Sequence, residues 1–113
     1  MSKYVRVMHP GEAEEIRKHG VIPPNREDWG EHKAGTVVFL FDGDRVSWAY
    51  VRSRAEDIVE DCGEAVILSF EGRLTEGTDK SGWDKGGAVI HAGPVVLAEQ
   101  TNVRWARYKK DLG

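Results

Sequence analysis

With 113 residues the chain has the size of one ordinary domain and can bury a core without help from disulfides or metals. Its 40% hydrophobic and 31% charged residues exclude a disordered or fibrous chain. A formal charge of −3 supplies no whole-molecule attraction to nucleic acid or to an acidic membrane surface, and a single cysteine, Cys62, excludes an internal disulfide.

The opening MSKYVRVMHPGEAEE has no long apolar stretch of the signal-peptide kind, and the longest plain apolar run, residues 37–41, is far too short to span a bilayer. The expectation is one cytoplasmic domain over residues 1–113 with no membrane partner.

Residues 3–8 are rich in β-branched and aromatic side chains, then Pro10-Gly11 breaks them, which predicts a short buried strand. Residues 12–19 follow as a helix, acidic at its start and carrying Arg17, Lys18 and His19 at its end, with Gly20 as the stop. Val21-Ile22-Pro23-Pro24 makes an extended exit, and 25–35 has no clear period, so it reads as a long loop fit to cover a site.

A buried strand is predicted over 36–41. Asp42 or Asp44 is placed to cap the next helix, whose Val46, Ala49 and Tyr50 share one face by their spacing. That helix leads into an acidic block of Glu56, Asp57, Glu60, Asp61 and Glu64. Residues 64–71 read as a strand, 72–86 as a polar loop, 87–91 as a strand, and 94–97 and 102–108 as further strands. Because strands and helices do not alternate steadily, the class is α+β rather than a parallel α/β sheet.

The stretch Tyr4-Val5-Arg6-Val7-Met8-His9-Pro10-Gly11-Glu12-Ala13-Glu14-Glu15-Ile16, with its exit His19-Gly20-Val21-Ile22-Pro23-Pro24, resembles the opening of small ADP-ribosyltransferase domains. Gly35 to Asp42, Ser47-Trp48-Ala49-Tyr50, the strand 65–70 and the turn Ala92-Gly93-Pro94-Val95 continue the likeness in the same order. It covers most of the chain to about residue 100, through the order of its pieces rather than one fingerprint.

The resemblance implies an ADP-ribosyltransferase-like fold of two small packed β-sheets with one or two short helices. It implies an NAD-dependent transferase that modifies a protein or nucleic-acid target, of the kind found among toxins and phage or mobile-element effectors. In such enzymes, cleavage of the nicotinamide–ribose bond develops positive charge on the sugar, which a nearby carboxylate stabilises. Arg6 matches the position that holds ribose or phosphates, His9 is placed to line the nucleotide cleft, and Tyr50 or Phe41 is the candidate to stack on nicotinamide.

The family's late Glu is missing here, since Gly86, Gly87 and Ala88 occupy its neighbourhood. Asp84 is the nearest carboxylate, ahead of Glu76, Asp79 and Glu99, and is the expected catalytic residue. The absent Glu supports a second expectation, a non-catalytic interaction protein of the same fold that inhibits a host defence complex by binding.

Blander explanations accompany these. Arg6 suits an ion-paired strand residue, Tyr50 a helix core position and Asp84 a turn. His9, His19, His32 and His91 show no zinc-ligand spacing, so no metal is expected. Cys62 among acidic neighbours is a poor nucleophile. Arg104, Trp105, Arg107 and Tyr108 interleave cations with aromatics as single-strand nucleic-acid binders do, and equally suit an edge strand guarded by charge.

Overall fold

A computed structural model of the chain describes residues 2–28, 33–74, 76–77, 88–92 and 94–109. The strands are β1 (Ser2–Met8), β2 (Val21–Ile22), β3 (Val37–Asp42), β4 (Glu64–Gly72), β5 (Glu76–Gly77), β6 (Ala88–Ala92), β7 (Val95–Val96) and β8 (Thr101–Lys109). The helices are α1 (Pro10–His19) and α2 (Trp48–Cys62), and a 3-10 turn, Leu97–Glu99, precedes β8.

Six strands form one antiparallel sheet in the order β5-β6-β3-β1-β4-β8, and β2 pairs with β7 as a separate ribbon. The class is α+β, as the sequence implies. The two sheets are unequal, however. A six-stranded central sheet carries α1 and the two-stranded β2-β7 sheet on one face and α2, at 15 residues, on the other.

Strand alternation creates the two cores. Tyr4 and Met8 of β1, Val38 and Leu40 of β3, and Val66, Leu68 and Phe70 of β4 bury on the first face against Ala13 and Ile16 of α1, Ile22 of β2 and Val95 of β7. On the second face Ala65 and Ile67 of β4 meet Val51, Ala55 and Val59 of α2, with Val5 and Val7 packed alongside. Each large side chain so buried contributes about 1.5–3 kcal/mol.

Both helices stop in the same way. Gly20 (φ 71°) and Gly63 (φ 86°) take the left-handed conformation, and their N–H groups donate to Ile16 and Val59 carbonyls at 2.7 Å. The start of α2 differs from expectation. Ser47, not Asp42 or Asp44, caps it, its hydroxyl accepting the Tyr50 N–H at 3.2 Å, while Asp42 instead accepts the Asp44 N–H within a turn. With the helix running to Cys62, its buried stripe is Val51, Ala55 and Val59, which leaves Ala49 and Tyr50 on the outside.

Among the described residues no helix is long and apolar enough to cross a membrane.

Candidate functional site

Arg6 sits in the middle of β1, between Tyr4 and Met8, and so turns its side chain toward the face that α1 covers. An arginine so placed must find partners as it loses water. Its Nη1 donates to the Phe39 carbonyl of β3 at 2.7 Å, and its Nη2 pairs with Glu12 of α1 at 2.5 Å. The Arg6 side chain is only 21% exposed. Its Nε is buried without a hydrogen-bond partner among the described residues.

This guanidinium forms part of the wall of a cleft of about 680 Å³. Glu12, Glu15 and His19 of α1 line one side, and Val21, Pro23, Asn25 and Arg26 of the exit segment line another. The volume lies within the usual range of small-molecule sites. Two arginines face two glutamates here, so the cleft offers both hydrogen-bond donors for phosphate and carboxylates for a sugar or a developing cation. Glu15 also lies 3.3 Å from His19, one helical turn on.

Asn25 organises the cleft's outer wall, a role with no advance signal beyond its place after two prolines. Its Nδ2 donates to the Glu27 and Lys33 carbonyls at 2.8 and 3.2 Å, and its Oδ1 accepts the Thr36 and Val37 N–H groups at 3.2 and 3.1 Å. Its backbone N–H donates to the Val37 carbonyl and its carbonyl accepts the Gly35 N–H, both at 2.7 Å. The described ends of the long loop are therefore tied to β3 through Asn25, by both its side chain and its backbone. Residues 29–32, the tip expected to cover a site, lie outside the described residues.

The stacking candidates do not join Arg6. Phe41 pairs across the sheet with Val5 and so shares the α2 face, where its ring meets Tyr50 edge-on at 5.4 Å. Arg6 and Tyr50 thus stand on opposite faces of the sheet, and the single cleft expected to hold both is not formed. Tyr50 is 41% exposed and Trp48 57% exposed, the latter with Arg52 over its ring at 6.0 Å.

His9 is not among the cleft-lining residues. It starts α1 without a side-chain cap, its Nδ1 3.4 Å from Cys62 Sγ and 4.0 Å from Asp61. The thiol has alternative acceptors in the Ile58 and Glu64 carbonyls, at 3.3 and 3.2 Å. Asp84, Asp79, Gly86 and Gly87 lie outside the described residues, Glu76 is described only as part of β5, and Glu99 falls in the 3-10 turn. Among the described residues no group of three His, Cys, Asp or Glu side chains is placed to hold a metal ion.

No family model, curated protein or solved structure matches the chain.

Proposed function

We propose that the Arg6 cleft binds NAD and that the chain is an ADP-ribosyltransferase acting on a protein or nucleic-acid target. The observation that carries this reading is the clamped guanidinium of Arg6, held by Phe39 and Glu12 in the wall of a nucleotide-sized cleft with its Nε unpaired among the described residues. A buried donor without an acceptor is uncommon, and a phosphate or ribose oxygen would satisfy it.

In the transfer, the bond between nicotinamide nitrogen and ribose carbon breaks and its electron pair leaves with nicotinamide. The ribose carbon carries positive charge until the acceptor's nucleophile attacks and releases its proton to a carboxylate or to water. Asp84 is the carboxylate that the resemblance supplies, and Glu12 and Glu15 are those lining the described cleft. Stacking by Phe41 or Tyr50 has no part in this site, because both belong to the opposite face.

A calorimetric titration with NAD tests the reading. Wild type should bind, and Arg6→Gln, which keeps a hydrogen-bonding side chain but removes the charge, should weaken binding about 10-fold or more. Absence of binding at millimolar NAD would remove the enzyme reading. Equal binding by Arg6→Gln would remove Arg6 from the site.

One observation favours the second reading, a non-catalytic protein that inhibits a host defence complex by binding it. Trp48, Tyr50 and Arg52 are exposed together at the start of α2, and exposed aromatic and arginine side chains are the residue types that dominate binding energy at interfaces. Wild type without nicotinamide release on any lysate, but with Trp48→Ala abolishing capture of a defined partner, is the outcome this reading requires.

A further inference from the structure

We infer, on the reading of the Arg6 cleft as an NAD site, that Glu15 of α1 selects the oxidised dinucleotide over the reduced one. Its carboxylate faces the positive charge of the nicotinamide ring, which NADH lacks.

The orientation of the ligand follows from how α1 lies along the cleft. Glu12, Glu15 and His19 succeed one another on one face of the helix, and all three line the cleft. In the first turn Glu12 is clamped to Arg6. Glu15 lies further on, 3.3 Å from His19 in the last turn, and Val21 follows across the Gly20 stop. The cleft thus has one end at Arg6, where the diphosphate belongs, and another built of Glu15, His19 and Val21. The dipole of α1 has the same sense, positive at the Arg6 end and negative at the other.

The charges of the walls cancel in sum, two arginines against two glutamates, but not place by place. Arg6 and Glu12 neutralise each other as a pair whose side chains are only 21% and 33% exposed. Among the described residues Glu15 has no permanent counter-charge, because its partner is an imidazole that is charged only when protonated. Arg26, on the exit-segment wall, makes no ion pair with it. Arg17 and Lys18, the other bases of the last turn, are not cleft-lining residues, and Arg17 instead covers the Trp105 ring at 5.3 Å. Glu15 therefore keeps a negative charge in a wall that also offers Val21, Pro23 and Pro24.

A pyridinium ring fits that combination, an apolar surface for its face and a carboxylate for its charge. The dihydronicotinamide of NADH has nearly the same outline and the same amide but no ring charge, so the carboxylate attracts one form and gains nothing from the other. The reverse orientation, with uncharged adenine at Glu15, would give no preference between them. Because Glu15 is 62% exposed, the preference should have the size of a surface ion pair, up to about 5-fold.

Calorimetric titrations of wild type and Glu15→Gln with NAD and with NADH, at about pH 8 where histidine is ordinarily neutral, test this. Wild type should bind NAD about 3- to 5-fold more tightly than NADH at low salt, and the ratio should shrink as salt is added. In Glu15→Gln the ratio should fall to about 1, through weaker binding of NAD with the affinity for NADH kept. A variant that merely folds poorly weakens both ligands together, and the wild-type ratio needs no variant. Equal binding of the two forms by wild type, or a preference that Glu15→Gln retains, overturns the role of Glu15 and leaves the NAD site standing. Binding of neither form at millimolar concentration removes the NAD site itself, and the role of Glu15 with it.

Discussion

Removing the Asn25 side chain should destabilise the protein by about 2–3 kcal/mol. Four side-chain hydrogen bonds are lost, and at partly exposed sites each contributes roughly 0.5 kcal/mol net, which gives about 2 kcal/mol. Val37 is only 8% exposed, so its N–H, deprived of Asn25 Oδ1, adds part of a desolvation penalty. In a domain of this size the sum should lower the melting midpoint by roughly 10 °C. Urea unfolding of Asn25→Ala measures the loss directly. Asn25→Asp keeps the oxygen that receives Thr36 and Val37 but not the Nδ2 donors, so it should fall between Ala and wild type. A loss below about 0.5 kcal/mol for the alanine variant would refute the view that this side chain holds the loop to β3.

Glycines at the two ends of α1 should respond in opposite directions: Gly11→Ala meets nothing within 4 Å and should stabilise by about 0.5–1 kcal/mol, whereas Gly20→Ala, at φ 71°, should cost about 1 kcal/mol in the same denaturation series. The Tyr108 hydroxyl is held above its ordinary value of 10.0 by desolvation, then by its hydrogen bond to Glu56 and by that carboxylate's charge, with Arg52 opposing. Its contribution to stability is therefore complete below about pH 10 and lost as pH rises through the raised value, so wild type should lose stability relative to Tyr108→Phe above that point, and parallel curves would contradict it. If the chain is a transferase, Asp84→Asn should keep NAD binding while nicotinamide release falls on the order of 100-fold to 1000-fold; equal rates would dismiss Asp84 as the carboxylate.

Most elements are legible in the sequence because each carries a local signal. β-branched and aromatic residues mark β1, the apolar run 65–68 marks β4, Gly20 ends α1, and the continuous run 37–41 gives a central strand. The buried face of α2 is not legible from Val46, Ala49 and Tyr50, because Val46 precedes the helix and the other two lie in its first turn. The stripe that packs, Val51, Ala55 and Val59, is set by a helix reaching Cys62. The site follows the same division. Arg6 reads as a strand residue that is either functional or ion-paired, and the structure gives it an ion pair with Glu12 inside a cleft. Its separation from Phe41 depends on cross-strand register: Val5 pairs with Phe41, which sends Arg6 to the other face. Register is a long-range property, and nothing local in the sequence reports it.

The two helices distribute charge in opposite ways, and the difference shows what holds each. α1 follows its dipole, with Glu12 in the first turn and Arg17, Lys18 and His19 in the last. α2 has no acid in its first turn and no base in its last, and its acidic block crowds the end where carbonyl dipoles are already negative. Such misplaced charges cost about 0.3–1 kcal/mol each at an exposed surface. Burial of Val51 and Val59 supplies about 1.5–3 kcal/mol apiece, and the Ser47 cap about 1 kcal/mol, so packing and capping outweigh the electrostatic penalty. The penalty should then be removable without touching the core. Glu60 is exposed in the last turn, and Glu60→Lys replaces an unfavourable charge by a favourable one, so it should stabilise the protein by about 0.5–1 kcal/mol at low salt and by less as salt screens the dipole. Unfolding of the two proteins across a salt series measures this. A destabilised variant, or a gain that persists undiminished at high salt, would show that α2's acidic end is set by contacts other than its own dipole.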